Sequence, residues 1–151
     1  MAWIEPIYDR TEHDVQYVKD LYARIKERVA TADDIVVYKN DLKGAINESD
    51  LQRIVNNMNY IANLLSISIT TQTVPDIPRV AWYSILLDNL TQLLNAYMKH
   101  SDTPGIPVQP LNTYEKWNTI EKILWDIKDI YELNVGYHAG DELYGNDNFI
   151  I

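Results

Sequence analysis

The sequence has no cysteine among its 151 residues. That excludes disulfide bridges, thiolate zinc sites and cysteine nucleophiles together, and it leaves the redox compartment open. Phenylalanine is nearly missing: there is 1 Phe, against 11 Tyr and 4 Trp. Tyr and Trp join an apolar body to a polar tip, which suits half-buried surfaces and partner contacts. A long hydrophobic run is also lacking. The stretch from Ile61 to Ile69 is interrupted by Asn63, Ser66 and Ser68 and is too short to cross a bilayer. The opening Met1-Ala-Trp-Ile-Glu-Pro6 lacks the basic start and apolar core of a signal peptide, so synthesis in a cytoplasm is expected. Positive charge is scarce, with 13 Lys and Arg against 22 Asp and Glu and a net charge of −9. A nucleic acid or an anionic membrane would be repelled at long range, so neither is expected as a partner.

What remains describes a folding chain. Hydrophobic residues make up 46% and charged residues 23%, the balance of a globular domain. One domain spanning 1–151 is expected, able to bury roughly 70% of its unfolded surface without a staple.

Four segments carry helical periodicity. In residues 11–30 the stripe is Val15, Val18, Leu21, Tyr22, Ile25 and Val29, with Thr11 as cap and Asp14 completing a box-like pattern. In 48–66 it is Leu51, Ile54, Met58, Ile61, Leu64 and Leu65, with Asn47 as N-cap and Gly44 in the preceding turn. In 78–100 it runs from Val80 through Leu86, Leu90 and Leu94 to Tyr97, with Asp76 available as a cap. In 113–133 it is Trp117, Ile120, Leu124, Ile127, Ile130 and Tyr131, capped by Asn112 or Thr113. The fold class expected is all-α, a four-helix bundle-like domain. An extended N-terminal arm (1–10) precedes it and a non-helical, glycine-containing tail (135–151) follows. The link 31–46 holds Ile35-Val-Val-Tyr38, read as a short strand or an extended segment packing on the bundle. The stretch Ser101-Asp-Thr-Pro-Gly-Ile-Pro-Val-Gln-Pro110 reads as a stiff extended connector.

Little in the chain speaks for catalysis. His13, His100 and His138 include no pair at the i, i+4 spacing of a helical metal site. There is no Gly-x-Ser-x-Gly elbow and no phosphate-cradling glycine loop. Asp141, Glu142 and Asp147 lack the ligand spacing of a calcium loop and read as a polar turn. Asp126 and Asp129 lie near Lys122 and Lys128 and read as a solvated, charge-balanced face. No catalytic residue, metal or cofactor is expected, and the chain is not read as an enzyme. Trp82 and Trp125 stand beside their helix stripes instead of in them. With Tyr144 and Phe149 of the tail they are the candidates for contact with a partner.

Two stretches stand out as motifs. The first is Trp3-Ile-Glu-Pro-Ile-Tyr8-Asp9-Arg10-Thr11-x-x-Asp14-Val15. The second is Leu42-Lys-Gly44-Ala-Ile-Asn47-x-x-Asp50-Leu-Gln-Arg53-Ile54, followed by Asn57 and Tyr60. Sliding the chain so that Asn47 meets Thr113 also brings Leu51 onto Trp117, Ile54 onto Ile120, Met58 onto Leu124 and Ile61 onto Ile127. Both motifs resemble a family of small modules in tail and fibre proteins of phages and prophages from Gram-positive gut bacteria. Its members carry "W-x-x-P-x-x-D-R-T-x-x-D-V" and then "L-K-G-A-x-N-x-x-D-L-N-R-I-E-x-N-x-x-Y-L". Gln52 and Val55 depart from that pattern, and Thr113-Tyr-Glu-Lys-Trp-Asn-Thr-Ile-Glu121 looks like the same helix used again. The resemblance implies a virion structural protein of the tail, baseplate or fibre region, a homo-oligomer contacting other virion proteins. It brings no catalytic residues. A receptor- or carbohydrate-contacting module using exposed Tyr and Trp is the alternative.

The motifs also suggest contacts. Arg10 is expected to pair with Asp14 one turn on. Gly44 is expected to permit a tight approach between the link and the second helix, and Arg53 and Asn57 to bond an incoming backbone.

Overall fold

The computed structural model describes residues 2–144, and side chains for 2–135. Five helices follow one another: α1 Glu12–Lys26, α2 Ala32–Lys39, α3 Glu48–Leu65, α4 Val80–Ala96 and α5 Tyr114–Tyr144. No strand occurs among the described residues, so the all-helical expectation holds.

Local chemistry accounts for most boundaries. Thr11 accepts from the Asp14 N–H while Asp14 reaches back to the Thr11 N–H, a complete capping box. Thr31 and Asp34 repeat it at α2. Asp50 reaches back to the Asn47 N–H at 2.7 Å at the start of α3. Helices α1 and α3 end on residues in the left-handed region, Arg28 (φ 61°) and Ser66 (φ 56°), and the following N–H bonds back across the last turn.

Four expectations need correction. Ile35-Val-Val-Tyr38 is helix, because the Thr31–Asp34 capping box outweighs the β-preference of a short branched run. The last helix does not stop at 133 but continues to Tyr144. Glycine costs a helix about 1 kcal/mol. Gly136 and Gly140 therefore need not end a helix already nucleated over many turns. Residues 145–151, the remainder of the expected tail, lie outside the described residues. The helix expected over 78–100 is shorter at both ends, and Arg79, not Asp76, is its N-cap residue, with no side-chain cap.

The core belongs to three helices. Leu51, Ile54, Met58 and Ile61 of α3 meet Leu86, Leu90 and Leu93 of α4 and Trp117, Ile120, Ile123, Leu124 and Ile127 of α5. The three run parallel. Tyr83 touches Trp117 near the start of α4 and Tyr97 touches Tyr131 just past its end, at the same offset in residue number. Arg53 meets Glu121 near the start of α3, and Tyr60 and Lys128 converge on Trp3 further along. Parallel helices require long returns, and extended segments supply them. Residues 67–79 run back along α4, and residues 98–112 run back along α5. Helices α1 and α2 pack on each other at the side. Leu21 is the one buried residue of α1, and α2 has none.

Candidate functional site: a buried clamp on the N-terminal arm

The arm lies extended in the groove between α3 and α5, as Pro6 and the absence of helical periodicity in residues 2–10 allow. Extended backbone carries polar groups that need partners. Side chains of the two helices provide them. Asn57 accepts from the Ile4 N–H at 3.0 Å and donates to the Ile4 carbonyl at 2.7 Å. Asn118 accepts from the Arg10 N–H at 3.1 Å and donates to the Arg10 carbonyl at 2.9 Å. Between them the Ile7 N–H donates to Glu121 at 3.1 Å. Asn89 of α4 grips Thr70 in the same two-bond manner, at 3.0 and 2.9 Å. Each bundle helix thus carries one asparagine whose amide stands in for the partner strand of a sheet.

Beneath the arm sits a closed ionic cluster. Glu121 is fully buried, and its carboxylate accepts from Arg53 Nε at 2.6 Å, Arg53 Nη2 at 2.9 Å and Arg10 Nη2 at 2.9 Å. Asp50 accepts from Arg53 at 2.6 Å and Arg10 at 3.2 Å. Arg10 also donates to the Ile7 carbonyl at 2.7 Å, which pins the arm's own bend. Two guanidinium groups face two carboxylates, so the cluster is neutral as a whole. Burial works against the charge on Arg53, and the hydrogen bonds and charges of Glu121 and Asp50 outweigh it, so its pKa is raised. Such a cluster specifies one arrangement more than it adds stability, because desolvation consumes much of the Coulomb gain.

Aromatic rings fasten the arm at two further points. Trp3 packs on Tyr60 with ring centroids 5.5 Å apart, under Lys128. Tyr8 packs on Trp125 at 6.0 Å, and the Lys122 ammonium lies 4.4 Å from the Trp125 ring.

Most of the motif residues therefore converge. Trp3, Tyr8, Arg10, Asp50, Arg53 and Asn57 build the clamp, and Asn47 shares Asp50 with it. Asp9 is exposed and pairs with Lys43 at 3.0 Å. Arg10 does not pair with Asp14, whose carboxylate is committed to the Thr11 cap. The Thr11 backbone bond holds the Asp14 carboxylate below its ordinary pKa, burial opposing and Lys43 assisting. Arg53 bonds carboxylates, and Asn57 alone of the two bonds the incoming backbone. Gly44 permits its tight approach to α1, not to α3: a Cβ there would lie 2.0 Å from the Asp14 carbonyl oxygen.

Trp82 donates to the Thr73 carbonyl at 2.9 Å and stacks edge-on against Tyr83. Phe149 and the Tyr144 side chain lie outside the described residues. Asp126 is not solvated. It is fully buried, with Thr103 and Lys122 each donating to it at 2.7 Å. Burial lowers and the Asp126 bond raises the Lys122 pKa, with a rise the net result.

Glu121 and Asn118 are the clamp residues that motif reading passed over. A signal was present: the internal alignment sets them opposite Val55 and Gln52, the two departures from the motif in α3. One helix keeps the Arg and the other keeps the Asn and Glu, and the pieces meet in space.

No group of His, Cys, Asp and Glu among the described residues is arranged to hold a metal ion. A cleft of about 590 Å³ opens between Pro78, Val80, Tyr83, Pro110 and Leu111, and Arg79 is the one formally charged side chain in its lining. No helix among the described residues is long and apolar enough to cross a membrane. Comparison with protein-family models, with curated proteins and with solved structures finds no match.

Proposed function

We propose that this chain is a virion structural protein of a phage, belonging to the tail, baseplate or fibre region, and that it acts by assembly and protein–protein contact instead of catalysis. The observation that carries the reading is the clamp. Residues of two motifs resembling phage tail modules, separated along the chain, come together to hold one extended arm. A building block needs its terminal segment fixed against a rigid body, and a buried cluster of two guanidinium groups on two carboxylates does that with high positional specificity. Trp82 and Trp125 are both half-buried and engaged with neighbouring groups of the chain, which leaves less ring surface for a glycan.

The protein is then made in the host cytoplasm and resides in the particle, against other virion proteins and copies of itself. The test is direct. Particles induced from a lysogen carrying this gene are purified, and their protein content is read by mass spectrometry with antibody labelling in the electron microscope. The chain is expected in stoichiometric amount at the tail end. Particles complete and infective without it would sink the proposal.

A further inference from the structure

The α1–α2 hairpin carries apolar surface that no described residue covers. Val29 is 63% exposed, Val36 61%, Tyr22 52%, Ile35 40% and Tyr38 37%. Ile35 and Val36 lie on the outer side of α2, away from the partly buried Val37, and Tyr38 sits at the edge of that face, where its ring meets Tyr22 at 6.3 Å. An 8-residue helix with no buried residue is held by its caps and by α1, through the Arg24–Asp34 pair and the Tyr22–Tyr38 contact.

We infer that this outer face is where two copies of the chain pair about a two-fold axis; the inference rests on the assembly role proposed above. Area is the first argument. The five side chains present about 400 Å² of apolar surface per copy, taking ~200 Å² for a whole aromatic ring and somewhat less for an aliphatic chain. Two copies make about 800 Å², close to the apolar share of a standard interface of ~1,600 Å².

Charge is the second. The molecule has a net charge of −9, so two copies repel over most of their surface. Residues 11–40 hold Lys19, Arg24, Lys26, Arg28 and Lys39 against Glu12, Asp14, Asp20, Glu27, Asp33 and Asp34, and are nearly neutral. This is the face on which two acidic bodies can meet. Its polarity is also self-complementary. Arg24 pairs with Asp34 inside the copy and Asp14 is committed to the Thr11 cap, so the charges available to a partner are Glu12 at the start and Lys26 at the end of α1, and Asp33 at the start and Lys39 at the end of α2. A two-fold axis lays each basic end over the partner's acidic start. Glu12, Lys19, Tyr22 and Lys26 recur at three-, four- and seven-residue steps, so charge and apolar contact share one side of α1.

The test uses the full chain and sedimentation equilibrium over a range of concentrations. Wild type is expected to dimerise. Val36→Glu is expected to raise the dissociation constant about tenfold or more, with circular dichroism unchanged because the site is already exposed. Glu12→Lys alone and Lys26→Glu alone are each expected to weaken pairing, and an equal mixture of the two is expected to restore it as a heterodimer. Restoration identifies the occupant as a second copy in the antiparallel sense. A wild-type monomer at every concentration overturns the inference, and so does a dimer that none of these variants weakens. Either result leaves the virion reading to its own particle test.

Discussion

The bundle and the hairpin are both helical, yet they differ in what holds them. In the bundle, three apolar stripes close on one another and every extended return is gripped by an asparagine or a carboxylate. In the hairpin, two complete capping boxes define two helices of which Leu21 is the one fully buried residue. Capping decides where a helix begins; packing decides whether it is held. The hairpin joins the bundle through few points, chiefly the arm on one side and the approach of Gly44 to Asp14 on the other.

The sharpest way to break the contrast is Glu121→Ala. It leaves Arg10 and Arg53 buried without their shared carboxylate, and a loss of about 3–5 kcal/mol is expected from urea unfolding. No single exposed hairpin substitution should approach that. Gly44→Ala comes next. Its Cβ meets backbone atoms of Asp14 and Val15, which cannot rotate away, so α1 must shift. About 1–3 kcal/mol is expected, and amide exchange should rise in the hairpin while α3 to α5 stay protected.

A third test uses pH. Asp14 and Asp34 are held below their ordinary pKa chiefly by the backbone bonds of Thr11 and Thr31. A carboxylate with a depressed folded pKa contributes its full share above the unfolded value and loses it as pH falls through the folded one. Hairpin amides should therefore lose protection below the ordinary carboxylate range, and Thr31→Ala should remove the α2 part of that dependence. The smallest effect expected is a gain. Arg28 sits in the left-handed region at the end of α1, and Arg28→Gly should stabilise by about half a kcal/mol in the same urea assay.

Much of the clamp was legible in the motifs. Trp3, Tyr8, Arg10, Asp50, Arg53 and Asn57 are named by them and meet in the fold. What was not legible is which acid answers which base. Asp14 stands one turn from Arg10 in sequence, yet Glu121, more than a hundred residues on, takes the contact. A local acid can be claimed by a helix cap, and a buried cation is matched by whatever carboxylate the packing brings within 3 Å. Asp126 taught the same lesson: its spacing from Lys122 suggested a wet surface, and the extended return segment carrying Thr103 covers it.

By itself, then, the sequence determined four of the five helices, the N-caps Thr11 and Asn47, the extended character of the arm and the acidic balance of the chain. Each depends on neighbours a few residues away or on a simple count. Only the tertiary structure decided that α1 stays out of the core, that α3, α4 and α5 run parallel, and that the two halves of a divided motif join over the arm. Those outcomes turn on which surfaces exclude water together, and periodicity describes a face without naming the face that will meet it.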